Sequence, residues 1–149
     1  MSLLERIDQD VKEAMKAGQK DKLTVLRGLK SDIKYKQIEL ISESMTDEQV
    51  IGVLSTAAKK RRESIEQYRL GKREDLAQKE EFELGVITEY LPQQLSEARL
   101  RELIQEAISE TGADSPQKMG LVMKALMPKV KGQADGKLVS RLVSEFLAK

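Results

Sequence analysis

Apolar residues recur every three or four positions along most of the chain, which is the spacing of one face of an α-helix. Seven such stripes can be traced, and strand-like alternation of apolar and polar residues is absent. The predicted inward residues are Leu4, Ile7, Val11, Ala14 and Met15; Leu23, Leu26, Leu29 and Ile33; Val50, Leu54, Ala57, Ala58, Ile65 and Tyr68; Leu76, Leu84, Ile87 and Leu91; Leu100, Leu103, Ile104, Ala107 and Ile108; Met119, Val122, Met123, Leu126 and Met127; and Leu138, Leu142, Val143 and Phe146. The pattern predicts an all-α fold.

Local signals place the ends of the first helices. Ser2 with Glu5 and Thr46 with Gln49 each have the spacing of a capping box, so helices are predicted to start there. Gly18 is expected to end the first helix, because glycine adopts the left-handed conformation common after a helix. The second helix is predicted from about residue 21, and the fourth over about residues 73–90.

Proline and further capping residues divide the second part of the chain. The residue before a proline is pushed out of helical geometry, so Pro92 predicts a boundary. Ser96 is predicted to cap the fifth helix. Ser115 is predicted to cap the sixth helix, with Pro116 as its first residue. Pro128 is expected to end the sixth helix and Asp135 to cap the seventh. We therefore predict two different helical bundles, an N-terminal four-helix bundle over residues 1–91 and a C-terminal three-helix tail domain over residues 92–149.

Composition favours small helical cores. Charged residues make up 34% of the chain and aromatic residues only 3%, so aliphatic stripes must fill the interior. The longest stretch without a charge, residues 49–58, is well short of the roughly 20 residues that a membrane span needs. Cysteine is absent, as is common in a reducing compartment. These features predict a soluble, cytoplasmic protein without a membrane partner.

Catalytic chemistry is sparse. Without histidine or cysteine, the sequence excludes Ser-His and Cys-His catalysis and histidine-ligated metal sites. Residues 132–138 imitate a phosphate-binding P-loop but have three residues between the glycines instead of four, and leucine where serine or threonine is required. The carboxylates Glu80, Glu81 and Glu83 could bind a cation or transfer protons, but a solvated helix face is the favoured interpretation. No cofactor and no metal site are predicted.

Positive charge is concentrated at the end of the chain. Residues 118–149 contain seven basic and two acidic residues, whereas the whole chain carries a net charge of only +1. The denser run at residues 59–62 spreads around a helix and is interpreted as a solvated stretch. Charge concentrated on a small helical domain favours a polyanion as its partner.

Several residues of this tail can converge on an anion. Lys137 and Arg141 are one turn apart. Lys129 and Lys131 are predicted to lie in the loop just before the seventh helix, near its free N–H groups, although Asp135 as cap would occupy some of these donors. Gly120 lies one turn before Lys124 and costs about 1 kcal/mol relative to alanine in a helix. Two explanations remain open for that glycine, tight helix packing or close approach of an RNA backbone. The candidate RNA-binding residues are Gly120, Lys124, Lys129, Lys131, Gly132, Lys137 and Arg141.

Two stretches carry a family resemblance. Residues 67–96 (QYRLGKREDLAQKEEFELGVITEYLPQQLS) and residues 11–29 resemble the stand-alone YqeY proteins. Residues 120–125 (GLVMKA) and 131–139 (KGQADGKLV) resemble the tail domain of the B subunit of glutamine-dependent aminoacyl-tRNA amidotransferases. The connection at residues 126–128 is longer than in that tail domain.

The resemblance implies a tRNA-binding accessory protein. It links the chain to carbon–nitrogen ligases that use glutamine as amido-nitrogen donor, and it implies partners such as tRNA and an aminoacyl-tRNA synthetase or amidotransferase complex. The chain itself is expected to be non-catalytic. The alternative is a protein–protein adaptor that binds a partner through an apolar groove of the C-terminal bundle at Met119, Met123 and Met127, for which core filling is the simpler explanation.

Overall fold

A computed structural model describes residues 1–148 as seven α-helices with one short 3-10 helix. The helices are α1 (Leu3–Ala17), α2 (Lys20–Glu39), α3 (Asp47–Leu70), α4 (Glu74–Thr88), α5 (Glu97–Thr111), α6 (Met119–Val130) and α7 (Gly136–Leu147), with the 3-10 turn at Pro116–Lys118. No strand occurs in residues 1–148, which confirms the all-α prediction. None of the described helices is long and apolar enough to cross a membrane.

The chain divides into two compact units, one comprising Met1–Leu91 and the other starting at Pro92. The N-terminal unit holds α1–α4, and the tail unit holds α5–α7.

Capping boxes start α1 and α3 as predicted. Ser2 and Glu5 exchange side-chain and backbone hydrogen bonds at the start of α1, and Thr46 and Gln49 do the same at α3. Gly18 adopts φ +68° directly after α1, the left-handed conformation that glycine adopts without a steric penalty. These caps satisfy backbone groups that would otherwise lack partners at helix ends.

The N-terminal core is aliphatic. The largest side chains with almost no solvent exposure are Ile7, Leu26, Leu29, Ile33, Leu54 and Ile87. Full burial of each contributes about 1.5–3 kcal/mol relative to exposure. The prediction for Met15 is wrong, because its side chain is 55% exposed. Ala14 points into the core instead, and Met15, turned about 100° from it on the helix, contacts the Arg27 guanidinium.

Tyr90 is the one aromatic residue buried in this core. Its hydroxyl donates a hydrogen bond of 2.5 Å to the Asp10 carboxylate. Arg6 lies 4.8 Å above the ring and also donates to the Glu89 carbonyl oxygen. Burial, followed by the Asp10 carboxylate, raises the pKa of the Tyr90 phenol well above its ordinary value. These contacts join the start of α1 to the residues that follow α4.

The tail unit has its own core, and several sequence predictions for this unit need correction. Pro128 does not end α6, which continues to Val130. Only one N–H is lost at the proline, and the fully buried Val130 holds the last turn against the core. Pro116 starts a 3-10 turn rather than the helix, and Ser115 makes no side-chain cap. In α7 the deepest residues include Val139 and Leu147, whereas the predicted Leu138 and Phe146 are only half-buried.

Candidate nucleic-acid interface

The connection between α6 and α7 is a tight turn centred on Lys131 and Gly132. Lys131 has φ −56° and ψ 125°, and Gly132 has φ +78°. The Gln133 N–H donates to the Val130 carbonyl oxygen over 2.8 Å. This is the geometry of a type II turn, which requires a positive φ at its third residue. Gly132 is thus needed by the backbone, independent of any ligand.

A second segment holds this turn in place. The Gln94 side-chain amide donates to the Gly132 carbonyl oxygen over 2.7 Å, and the Leu95 N–H donates to the Gln133 carbonyl oxygen over 2.8 Å. The residues that precede α5 therefore fix the position of Lys131. Sequence reasoning missed Gln94, because its partner lies 38 residues further along the chain.

Asp135 caps α7 as predicted. Its carboxylate accepts a hydrogen bond of 3.3 Å from the Lys137 N–H. One of the backbone donors expected to attract an anion is therefore occupied. Any anion bound at this end of α7 must rely on the remaining N–H groups and on the Lys131 and Lys137 side chains.

Gly120 and Lys124 lie on the exposed face of α6. A Cβ atom built at Gly120 would meet no atom within 4 Å. Tight helix packing within the described residues is therefore not the reason for this glycine. Lys124 is exposed one turn further on, and in the described part of the chain no carboxylate contacts its ammonium group.

Two other candidate cations, Lys129 and Arg141, contact carboxylates. Lys129 lies inside α6 rather than in the loop, and its ammonium is 3.2 Å from a Glu110 oxygen. Arg141 lies 3.8 Å from both Glu97 and Glu145. Arg101, which the sequence did not single out, contacts the same two carboxylates at 3.7 and 4.0 Å. Exposed pairs of this kind are worth about 0–1 kcal/mol each, so a phosphate can compete for them.

The three tail methionines lie at the edge of the core. Met119, Met123 and Met127 are half-buried and pack against the tail's apolar cluster. This is the core-filling role, and it does not favour the adaptor groove.

Two acidic residues of α4, Glu80 and Glu81, form ion pairs with arginines of α3. Arg61 lies 3.9 Å from Glu80, and Arg69 contacts Glu81. Burial, followed by the Glu83 carboxylate, raises the pKa of Glu80. Among the described residues, no group of three or more metal-ligating side chains is close enough to hold a metal ion.

The sequence of this chain matches that of a known protein family. The sequence profile of the family described as Yqey-like protein (YqeY) matches residues 4–147. The chain therefore belongs to the YqeY family.

Named relatives occur among fungi. The protein named Altered inheritance of mitochondria protein 41, mitochondrial, of Pyrenophora tritici-repentis is 30% identical over 148 residues, covering 97% of this chain and 81% of that protein. Proteins of the same name are 38% identical over 85 residues in Vanderwaltozyma polyspora, covering 57% of this chain, and 30% identical over 112 residues in Lachancea thermotolerans, covering 74% of it. The matched part is 46% and 60% of these two proteins. The names of those relatives assign them to mitochondria, and the cytoplasmic location of this chain stays a prediction.

Proposed function

We propose that this YqeY protein is a non-catalytic accessory protein whose tail, residues 92–149, binds tRNA through the phosphate backbone. The exposed face of α6 carries the proposal. There Gly120 leaves open surface beside Lys124, whose ammonium group contacts no carboxylate of residues 1–148. A glycine in a helix costs about 1 kcal/mol relative to alanine, and no packing contact within these residues requires it here.

The neighbouring turn supports the same function. Gln94 and Leu95 hold the turn that carries Lys131, and Lys137 follows at the start of α7. Side chains presented from a fixed backbone lose less conformational freedom on binding. Basic residues presented from a fixed turn and a helix suit folded RNA, which is recognised mainly by its shape and phosphates.

The family resemblance supplies the biological setting. The tail resembles the tail domain of the B subunit of glutamine-dependent amidotransferases, so we infer that the chain positions tRNA for a carbon–nitrogen ligase or an aminoacyl-tRNA synthetase complex. Any ligase activity would belong to the complex.

Charge removal tests the proposal. The tail variant changes Lys124, Lys131, Lys137 and Arg141 to glutamine. A matched control variant makes the same change to glutamine at four exposed lysines of the N-terminal unit, Lys59, Lys60, Lys72 and Lys79. Binding of unmodified tRNA is measured by fluorescence anisotropy on the full chain, with a melting curve for each variant.

We expect the tail variant to lose tenfold or more in tRNA affinity, and the control to stay within about threefold of the unsubstituted chain. Equal losses in the two variants, or none in a folded tail variant, would overturn the tail site. The adaptor alternative predicts that RNA-independent partner capture survives these substitutions.

A further inference from the structure

Helix α2 carries a basic edge and an acidic edge, and its remaining lysines, Lys22 and Lys36, lie outside the basic edge, where they pair with Glu89 and Glu39. At 100° per residue, Lys20, Arg27, Lys30 and Lys34 lie along one edge, and Asp21, Asp32 and Glu39 lie along the other. The strip between them carries Thr24, Gly28, Ser31 and Tyr35, all exposed. Arg27 and Lys34 are two turns apart, about 10.5 Å along the axis. The basic edge therefore presents regularly spaced cations.

Helix α1 lies along this basic edge. Asp8 is 2.7 Å from the Lys30 ammonium, and the Arg27 guanidinium is 3.8 Å from the Met15 sulfur. Lys12 lies one turn from both Asp8 and Met15 on α1, so it borders the same surface. We call this surface the α1–α2 basic seam, formed by Lys12, Lys20, Arg27, Lys30 and Lys34.

The positive charge of the seam is largely uncompensated. Asp8 is committed to Lys30, and the Glu5 carboxylate accepts the Ser2 N–H in the capping box. Within the described part of the chain, no carboxylate contacts the side chains of Lys12, Lys20, Arg27 or Lys34. By contrast, the tail cations Lys118, Lys129 and Arg141 are all in ion pairs.

We propose that the α1–α2 basic seam binds the phosphate backbone of a structured RNA, as a contact separate from the tail. The identification of RNA as the bound polyanion rests on the proposed function. The inference that the seam binds a polyanion rests only on its own charges and surface. Small side chains beside the cations admit a backbone closely, and a Cβ atom built at Gly28 would meet nothing within 4 Å. An open groove of about 320 Å³ continues the seam beside Lys30, Lys34 and Gln37.

One observation favours RNA over an anionic membrane. A helix lying on a membrane buries an apolar face in lipid, but the apolar face of α2, with Leu26, Leu29 and Ile33, is already inside the core.

The test uses full-length chains. The seam variant changes Lys12, Lys20, Arg27 and Lys34 to glutamine and keeps Lys30, which pairs with Asp8. It is compared with the tail variant and with the control variant at Lys59, Lys60, Lys72 and Lys79, which loses the same charge. Binding of tRNA, of a DNA duplex of similar length and of phosphatidylserine vesicles is measured over a range of salt, with melting curves.

The seam variant is expected to bind tRNA tenfold or more weakly, with a log–log salt slope shallower by up to about 3.6 if all four cations contact phosphates. The control should change affinity by less than about threefold. A folded seam variant with unchanged tRNA affinity and slope would overturn the inference, as would loss of vesicle or DNA binding alone. Weaker tRNA binding in the seam variant alone would support the seam and overturn the tail site. Weaker tRNA binding in the tail variant alone would support the tail site and overturn the seam.

Discussion

Single side chains at the end of α4 show how few contacts fix the N-terminal unit. Tyr90 has no intrahelical role, yet it is buried and bonded to Asp10 on α1. Its sequence neighbours gave no sign of this, because the partner lies 80 residues away. Sequence patterns report local spacing, so contacts of this kind emerge only from the folded structure.

Tyr90→Phe tests the Tyr90–Asp10 bond. Hydrogen bonds to charged groups contribute about 1.5–3 kcal/mol, so we expect the free energy of unfolding to fall by roughly that amount in urea titration. Tyr35→Phe is the control, because the Tyr35 hydroxyl is exposed and should cost less than about 0.5 kcal/mol. A loss no larger for Tyr90→Phe than for Tyr35→Phe would contradict the role of this bond.

Glu80 gives a pH-dependent prediction. Burial and the Glu83 carboxylate raise the pKa of Glu80 in the folded chain. The stability that this shift contributes is therefore present below the pKa that Glu80 has in the unfolded chain, and it is lost as pH rises through the pKa of Glu80 in the folded chain. At pH 7 the ionised side chain is therefore destabilising. We expect Glu80→Gln to raise Tm at pH 7, by a gain in stability below about 1 kcal/mol, and the gain to shrink as pH falls towards 4. A Tm gain that grows on acidification would be inconsistent with the raised pKa.

At the scale of the elements, apolar spacing predicted most of the fold. Two capping boxes, the glycine after α1 and the Asp135 cap all occur where their motifs predicted. The failures lie where packing overrides a local signal, as at Pro128, where a buried valine extends the helix beyond a proline. The candidate site was less predictable, because Glu110 and Glu97, which pair with Lys129 and Arg141, lie on α5. The residue that holds the Lys131 turn, Gln94, is also distant in sequence.

Substitutions at Gly120 distinguish a steric effect on RNA binding from an effect of charge at the surface of α6. Gly120→Ala has room for its methyl group and should raise stability by about 0.5–1 kcal/mol, since alanine favours helix. Gly120→Leu should weaken tRNA binding by roughly three- to tenfold because its side chain covers the open surface, although no charge is removed. Both variants are compared by anisotropy and thermal melting. Equal tRNA affinity of the alanine and leucine variants would show that RNA does not approach this surface.

For the whole molecule, the chain divides at Leu91–Pro92 into two compact units, and we propose that these behave as separate domains. Gln94 and Leu95 are bonded to the tail turn, so the accessible stretch should be residues 91–93. Limited proteolysis followed by mass spectrometry is expected to cut there before any helix interior. Early cleavage inside α3 or α6, with the 91–93 stretch intact, would argue against separate domains.

The central claim is that the tail binds tRNA through phosphate contacts, and the salt dependence of binding tests it most directly. Each phosphate neutralised in a duplex region contributes about −0.9 to the slope of log affinity against log salt. We expect a steep negative slope for the unsubstituted chain, and a slope shallower by up to about 3.6 for the variant lacking Lys124, Lys131, Lys137 and Arg141. Slopes that are identical in the two folded proteins, or tRNA binding that does not depend on salt, would contradict the claim.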